Sequence, residues 1–235
     1  MLSAITQGMV RFLLTGPQPA EPEDADVSGT TDDTILDGPE ALRAHVGAIR
    51  PMAEHKVLPR LDHFARDFIA LSPFLVLASM DVEGRADASP RGDAPGFVQI
   101  LDDATLLIPD RRGNNRVDSF GNVLGNPGVG LIFFVPGIDE TLRVNGRAAL
   151  VTSPDLLAPM AAQGKVPTTG LRVTVEEMFF HCGKALMRAK LWSPTVQVER
   201  KRFPSLGRIL AEQGGTVSVA DAERATEEAY RTRLY

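Results

Sequence analysis

Apolar residues in this chain recur first at helical and then at strand spacing, and the switch falls near residue 73. Leu61, Phe64, Ala65, Phe68 and Ile69 stand at i, i+3, i+4, i+7 and i+8. That stripe predicts a helix with one face turned to a core, closed by Ser72-Pro73. Upstream, Asp37-Gly38-Pro39 reads as a cap and first turn, Leu42, His45/Val46 and Ile49 follow at helical spacing, and Pro51 is the expected stop. Beyond residue 73 the runs are short and turn-bounded: Phe74–Ser79, Arg85–Ser89, Phe97–Leu101, Thr105–Ile108, Val129–Val135, Thr141–Val151 and Leu171–Cys182. Strands at this spacing predict an antiparallel barrel or sandwich, mainly β with flanking helices. Short helices are expected at Arg116–Leu124, at Ser153–Ala162 behind a Ser153 cap, and at Lys184–Leu191. The tail is expected to add one surface helix, Ala220–Tyr230.

Composition narrows the classes. The chain has 235 residues, 43% of them hydrophobic, and a formal net charge of −5, which argues against a protein that coats nucleic acid. One cysteine, Cys182, excludes an intramolecular disulfide framework and any Cys-rich metal site, and it reads as a core residue. The four histidines, His45, His55, His63 and His181, show no zinc-type clustering, so no metal is expected. No apolar run is long enough to span a bilayer, and the first residues lack a secretory pattern, so a cytoplasmic protein is expected. Residues 17–40 carry eight acids, four prolines and no Lys or Arg. They read as a solvated arm, with docking on a basic partner as the alternative.

Three segments could carry chemistry. Pro109-Asp110-Arg111-Arg112-Gly113-Asn114-Asn115-Arg116 joins a strand to a helix start, with three arginines, one glycine and two asparagines. Such a turn can aim N–H groups and guanidinium forks at one anion. It can equally be a basic surface turn satisfied by Asp110 and Asp118. Ser89-Pro90-Arg91-Gly92-Asp93 places an arginine at a strand end, with Asp93 expected to pair with an arginine. Lys184, Arg188 and Trp192, at i, i+4 and i+8, would share one helix face over a flat anion or at a subunit interface. No Gly-x-Gly-x-x-Gly, Gly-Lys-Ser/Thr or Gly-x-Ser-x-Gly occurs, which leaves dinucleotide folds, Walker loops and the usual hydrolase elbow unsupported.

Taken in order, Ser72-Pro73-Phe74, Ser89-Pro90-Arg91-Gly92-Asp93, Pro95-Gly96-Phe97, Ile108-Pro109-Asp110, Gly113-Asn114-Asn115-Arg116, Asn126-Pro127, Pro136-Gly137, Thr141–Gly146 and Lys184…Arg188…Leu191-Trp192 resemble the pyridoxamine 5′-phosphate oxidase-related, FMN-binding split-barrel family. The resemblance covers roughly residues 60–195. It implies a six-stranded antiparallel split β-barrel, homodimeric, with FMN in clefts between the subunits. The implied layout is an arm at 1–38, the FMN-binding domain with N-terminal helices at 39–195, and a helical extension at 196–235. Ser89, Arg91, Asn115 and Arg116 would grip the phosphate, and Ile108 and Pro109 would line the isoalloxazine or ribityl chain. Arg188 and Trp192 would come from the partner subunit. Arg111 and Arg112 are set aside because the loop is one residue longer than in the oxidase.

The oxidases themselves use a C-terminal Arg-x-His pair, yet no histidine follows His181. The implied activity is therefore an FMN-dependent oxidoreductase acting on another small molecule. The alternative is a split barrel that binds flavin, or another cofactor, without turnover.

Overall fold

The structure, a computed structural model, describes residues 35–235. Most of the acidic arm lies outside the described residues. The chain divides into a unit ending at Arg50 and a unit Pro51–Tyr235. In the first, α1 (Gly38–Val46) starts where Asp37-Gly38-Pro39 predicts, although the Asp37 side chain makes no capping bond. It ends earlier than expected: Gly47, at φ 80°, takes the left-handed conformation that L residues avoid. Pro51 does not stop α1; it opens α2 (Pro51–Glu54) of the second unit.

The second unit is built on α3 (His63–Leu71) and a seven-stranded antiparallel sheet in the order β2-β1-β5-β6-β7-β4-β3. The strands are β1 (Phe74–Met80), β2 (Ala86–Gly92), β3 (Gln99–Ile100), β4 (Thr105–Pro109), β5 (Gly128–Phe134), β6 (Thr141–Val151) and β7 (Gly170–His181). The seven strands match the seven apolar runs in number and exceed the six that the resemblance implies, and the expected strand at 97–101 shrinks to the two residues of β3. Phe97 and Val98 are buried in the core but lie outside the ladder. Helices α4 (Asp118–Gly125), α5 (Pro154–Leu157), α6 (Lys184–Ala189), α7 (Leu206–Gly214) and α8 (Val219–Thr232) hold enough of the chain to make the fold mixed α and β rather than mainly β. The tail forms two helices packed on each other, not one: Gly207 of α7 sits so close to the α8 backbone that a Cβ would meet Glu223 Cα at 2.6 Å.

Period-two alternation turns Leu75 and Leu77 of β1, Leu131 and Phe133 of β5, and Leu142 and Val144 of β6 into one core. The α3 stripe joins it through Ala65, Phe68 and Ile69. Asp62 caps α3 by accepting the Ala65 N–H at 2.8 Å. A bulge between β6 and β7 at Asn145/Gly146 shifts the inward set of β7 from Val173 and Val175 to Met178. Among the described residues no helix is long and apolar enough to cross a membrane.

Candidate anion-binding site at the edge of the sheet

β2 is an end strand of the sheet, and its inward face is polar. Arg91, Ser89 and Asp87 lie opposite the inward Leu75, Leu77 and Ser79 of β1. Apolar patterning thus stops on the last strand, which turns its polar groups towards the connection that follows β4. Pro90 is tolerated there because an end strand leaves one row of N–H groups unpaired.

The connection supplies the other wall. Asp110 N–H donates to Thr169 O at 3.0 Å, fixing the start of the loop. Asn115 (φ 60°) and Val117 (φ 51°) are both left-handed. Asn tolerates that region; a β-branched residue there is strained, at a cost of order 1–3 kcal/mol. Val117 is also the N-cap of α4, so no side chain caps the first turn. Uncapped first-turn amides carry partial positive charge and suit an anion. The helix start is pinned from behind, with Ser119 Oγ donating to Asp87 Oδ2 at 2.7 Å and Asn122 Nδ2 to Ser79 Oγ at 3.0 Å.

Between these walls lies a cavity of about 510 Å³. Of the eight residues that the resemblance assigns to the cofactor, five line it together: Ser89, Arg91, Pro109, Asn115 and Arg116. Ile108 is buried beneath, bordering a small void of about 10 Å³ with Arg91 and Phe120. Arg188 and Trp192 do not line the cavity. α6 ends at Ala189 and Lys190 turns left-handed, so Trp192 leaves the helix face it was expected to share with Lys184 and Arg188. Its indole N–H donates to Ile138 O at 2.9 Å. Cys182, expected in the core, is exposed just past the end of β7.

Four arginines face three aspartates across the lining. Arg91 donates to Asp110 Oδ1 at 3.0 Å and covers the Phe120 ring at 5.4 Å, while its Nε is buried without a partner. A buried donor left unpaired is costly, so this atom points to a missing acceptor. Burial pushes the Asp110 carboxyl above the usual aspartate range, and Arg91 only partly offsets it. Arg116 is exposed and held by Asp118 at 2.8 Å, a surface pair that an incoming anion can reorganise at little cost. Arg112 makes no ion pair among the described residues.

Some groups at the site carry no local signal. Phe120, under Arg91, is one; Tyr235 is another, its hydroxyl donating to Asp93 Oδ1 at 2.7 Å. Asp93 does pair with an arginine, accepting from Arg111 Nε at 2.5 Å. Burial raises the Asp93 carboxyl, but the Tyr235, Ala94 and Arg111 hydrogen bonds outweigh it and leave the group below its usual range. The ionised form therefore stabilises the fold above the ordinary aspartate pKa of about 3.9, and that contribution fades as pH falls through the lower folded value. Wild type should exceed Asp93→Asn in stability by a constant margin between pH 5 and 7 (roughly), with the margin shrinking below about pH 4. Urea melts at several pH values check this; a margin that grows with acid would refute it.

A family model described as pyridoxamine 5′-phosphate oxidase matches residues 61–182, just over half of the chain. The chain belongs to the pyridoxamine 5′-phosphate oxidase family. The match spans α3 through β7 and so includes both walls of the cavity. Among solved structures similar to this member of the family is HupZ of Group A Streptococcus, at 17% identity and a TM-score of 0.43, covering 51% of this chain and 93% of that one. A candidate pyridoxamine 5′-phosphate oxidase of Lactobacillus delbrueckii is 20% identical, covering 53% and 98%, with a TM-score of 0.42. An FMN-binding protein of Syntrophomonas wolfei is 11% identical, covering 50% and 88%, with a TM-score of 0.38. Comparison with curated proteins gives no match.

Proposed function

We propose that this family member is an FMN-binding flavoprotein, a cytoplasmic homodimeric split barrel that works as an FMN-dependent oxidoreductase on a small molecule. The observation that carries the reading is the convergence of Ser89, Arg91, Asn115 and Arg116 on one cavity whose buried Arg91 Nε lacks an acceptor. A phosphate dianion fits this donor set: a hydroxyl, two guanidinium forks, an asparagine and an uncapped helix start. Pro109 and Ile108 would lie against the ribityl chain or ring, and the partner subunit's Arg188 and Trp192 would complete the cleft. Bound FMN supplies hydride and electron transfer; the protein orients it and sets the charge around it. Residues 182–235 contain no Arg-x-His pair, and our reading is of a substrate other than pyridoxamine phosphate.

Purified protein should bind FMN and show flavin absorbance after removal of excess cofactor. Arg116→Ala should weaken FMN by roughly 1.5–3 kcal/mol, about tenfold to over a hundredfold. Protein that stays colourless after incubation with FMN would refute the reading. Binding without turnover is the second reading, favoured by a cavity lining whose carboxylates, Asp87, Asp110 and Asp118, are each already engaged, by Ser119, Arg91 and Arg116. It predicts that the photoreduced flavin reoxidises no faster with any organic acceptor than with air alone.

A further inference from the structure

The two walls of the cavity are tied to each other twice, by Arg–Asp pairs that run in opposite directions. Arg91 of β2 donates to Asp110 of the loop after β4 at 3.0 Å, and Arg111 of that loop donates back to Asp93, just beyond β2, at 2.5 Å. Arg91 is itself assigned to the phosphate, so the first tie shares its guanidinium with the anion. Asp93 stands outside the cavity lining, and its side chain is only 4% exposed. The second tie is therefore the one that holds the walls at a fixed spacing with or without an anion.

The segment beyond Arg111 depends on that tie. Residues 112–116 include Asn115 and Arg116, and among the described residues they hydrogen-bond only locally, Arg116 to Asn114 and to Asp118. The segment is thus anchored at its ends alone. Downstream, Ser119 Oγ donates to Asp87 Oδ2 at 2.7 Å. Upstream the anchor is Arg111, which reaches both Asp93 and, at 2.9 Å, Met160 O. A shift of Arg111 passes directly to the donors that follow it.

Tyr235, three residues past α8, closes the upstream anchor. Its hydroxyl donates to Asp93 Oδ1 at 2.7 Å, its ring centre lies 5.9 Å from the Arg111 guanidinium, and its main-chain O accepts from Lys165 Nζ at 2.7 Å. Asp93 then accepts from three donors: the Ala94 N–H and Tyr235 on Oδ1, and Arg111 on Oδ2. A carboxylate filled on both oxygens is held in one orientation, here towards Arg111. Without the hydroxyl, Oδ1 keeps only the amide of the adjacent residue, and the carboxylate is free to turn with its own stretch of chain.

Resting on the reading that FMN fills this cavity, we propose that Tyr235 is a positioning residue of the phosphate site: through Asp93 and Arg111 it sets where Asn115 and Arg116 meet the phosphate. It lines no part of that cavity and acts only through its neighbours.

The test is Tyr235→Phe, which keeps the ring and removes one oxygen. FMN and riboflavin, the same flavin without the phosphate, are titrated by fluorescence at a temperature where both proteins are folded. FMN should bind the variant about threefold to tenfold more weakly, while riboflavin binds both proteins alike. Unchanged FMN affinity would overturn the proposal. So would an equal loss for riboflavin, which would make Tyr235 a support of the fold alone. If wild type binds no FMN, the flavin reading fails by itself, and thermal-melting titrations of both proteins with inorganic phosphate decide the positioning role. A saturable rise in melting temperature that needs about threefold to tenfold more phosphate in the variant sustains it. No saturable rise, or identical titrations, overturns it.

Discussion

An Arg91→Ala protein is expected to bind FMN about tenfold to over a hundredfold more weakly and to melt earlier than wild type. The two losses have separate causes. Arg91 is the one cavity-lining arginine that is both partly buried and placed on a strand: its side chain is 19% exposed, lies over Phe120, and hydrogen-bonds Asp110. Its removal withdraws a charged fork from the anion and leaves the Asp110 carboxyl, already pushed up by burial, without its cation. The second loss is repairable. Arg91→Ala/Asp110→Asn should regain much of the melting temperature while FMN affinity stays low, because the neutral amide needs no counter-charge. Arg91→Lys should fall between, since an ammonium keeps the charge but not the fork. Flavin fluorescence titrations and thermal melts on all four proteins separate these effects. FMN affinity restored along with stability in the double variant would show that Arg91 only braces Asp110.

The largest stability effect is expected at Gly146. A Cβ there would stand 2.0 Å from Thr174 O and 3.0 Å from Thr174 C, both backbone atoms of the neighbouring strand. Neither can swing aside as a side-chain tip could, and the bulge at Asn145/Gly146 already sets the path of both strands. Gly146→Ala should therefore cost at least about 3 kcal/mol, in the upper range for single substitutions. For a unit of this size that lowers Tm by roughly 6–12 °C. Gly121, in α4 with open space around its Cβ position, is the control: Gly121→Ala should be neutral or raise stability by about 0.5–1 kcal/mol. Thermal and urea melts compare them, and a Gly146→Ala protein that melts with wild type would refute the close approach.

Much of the fold was legible because its cause is local. The boundaries of β6 match the expected strand, since an alternating run of eleven residues between two turn signals has one reading. The α3 stripe and its Ser72-Pro73 stop are of the same kind. The failures share a cause as well. Phe97–Leu101 has strand composition, but only Gln99 and Ile100 join the ladder, because the Phe97 N–H closes a turn on Ala94 O and the Leu101 N–H closes the turn into β4 on Thr105 O. Residue type puts Cys182 in the core, yet β7 ends one residue earlier. Helical counting puts Trp192 on the face of Lys184 and Arg188, and Lys190 breaks the helix.

The site divides along the same line. Residue types, strand and helix periods and the Asn/Arg turn are properties of short stretches of chain, so the sequence alone marks that turn and Arg91 as able to meet an anion, and the family resemblance it carries implies Ser89, Arg91, Asn115 and Arg116 as the phosphate residues. Their convergence depends on register and long-range packing. Arg91 meets Asp110 across 19 positions, Ser119 meets Asp87 across 32, and Tyr235 reaches Asp93 across 142. No local period encodes such distances. Only the tertiary structure decides that the end strand turns a polar face inward, that Phe120 lies under Arg91, and that Tyr235 stands beside Arg111, because each follows from which segments pack side by side.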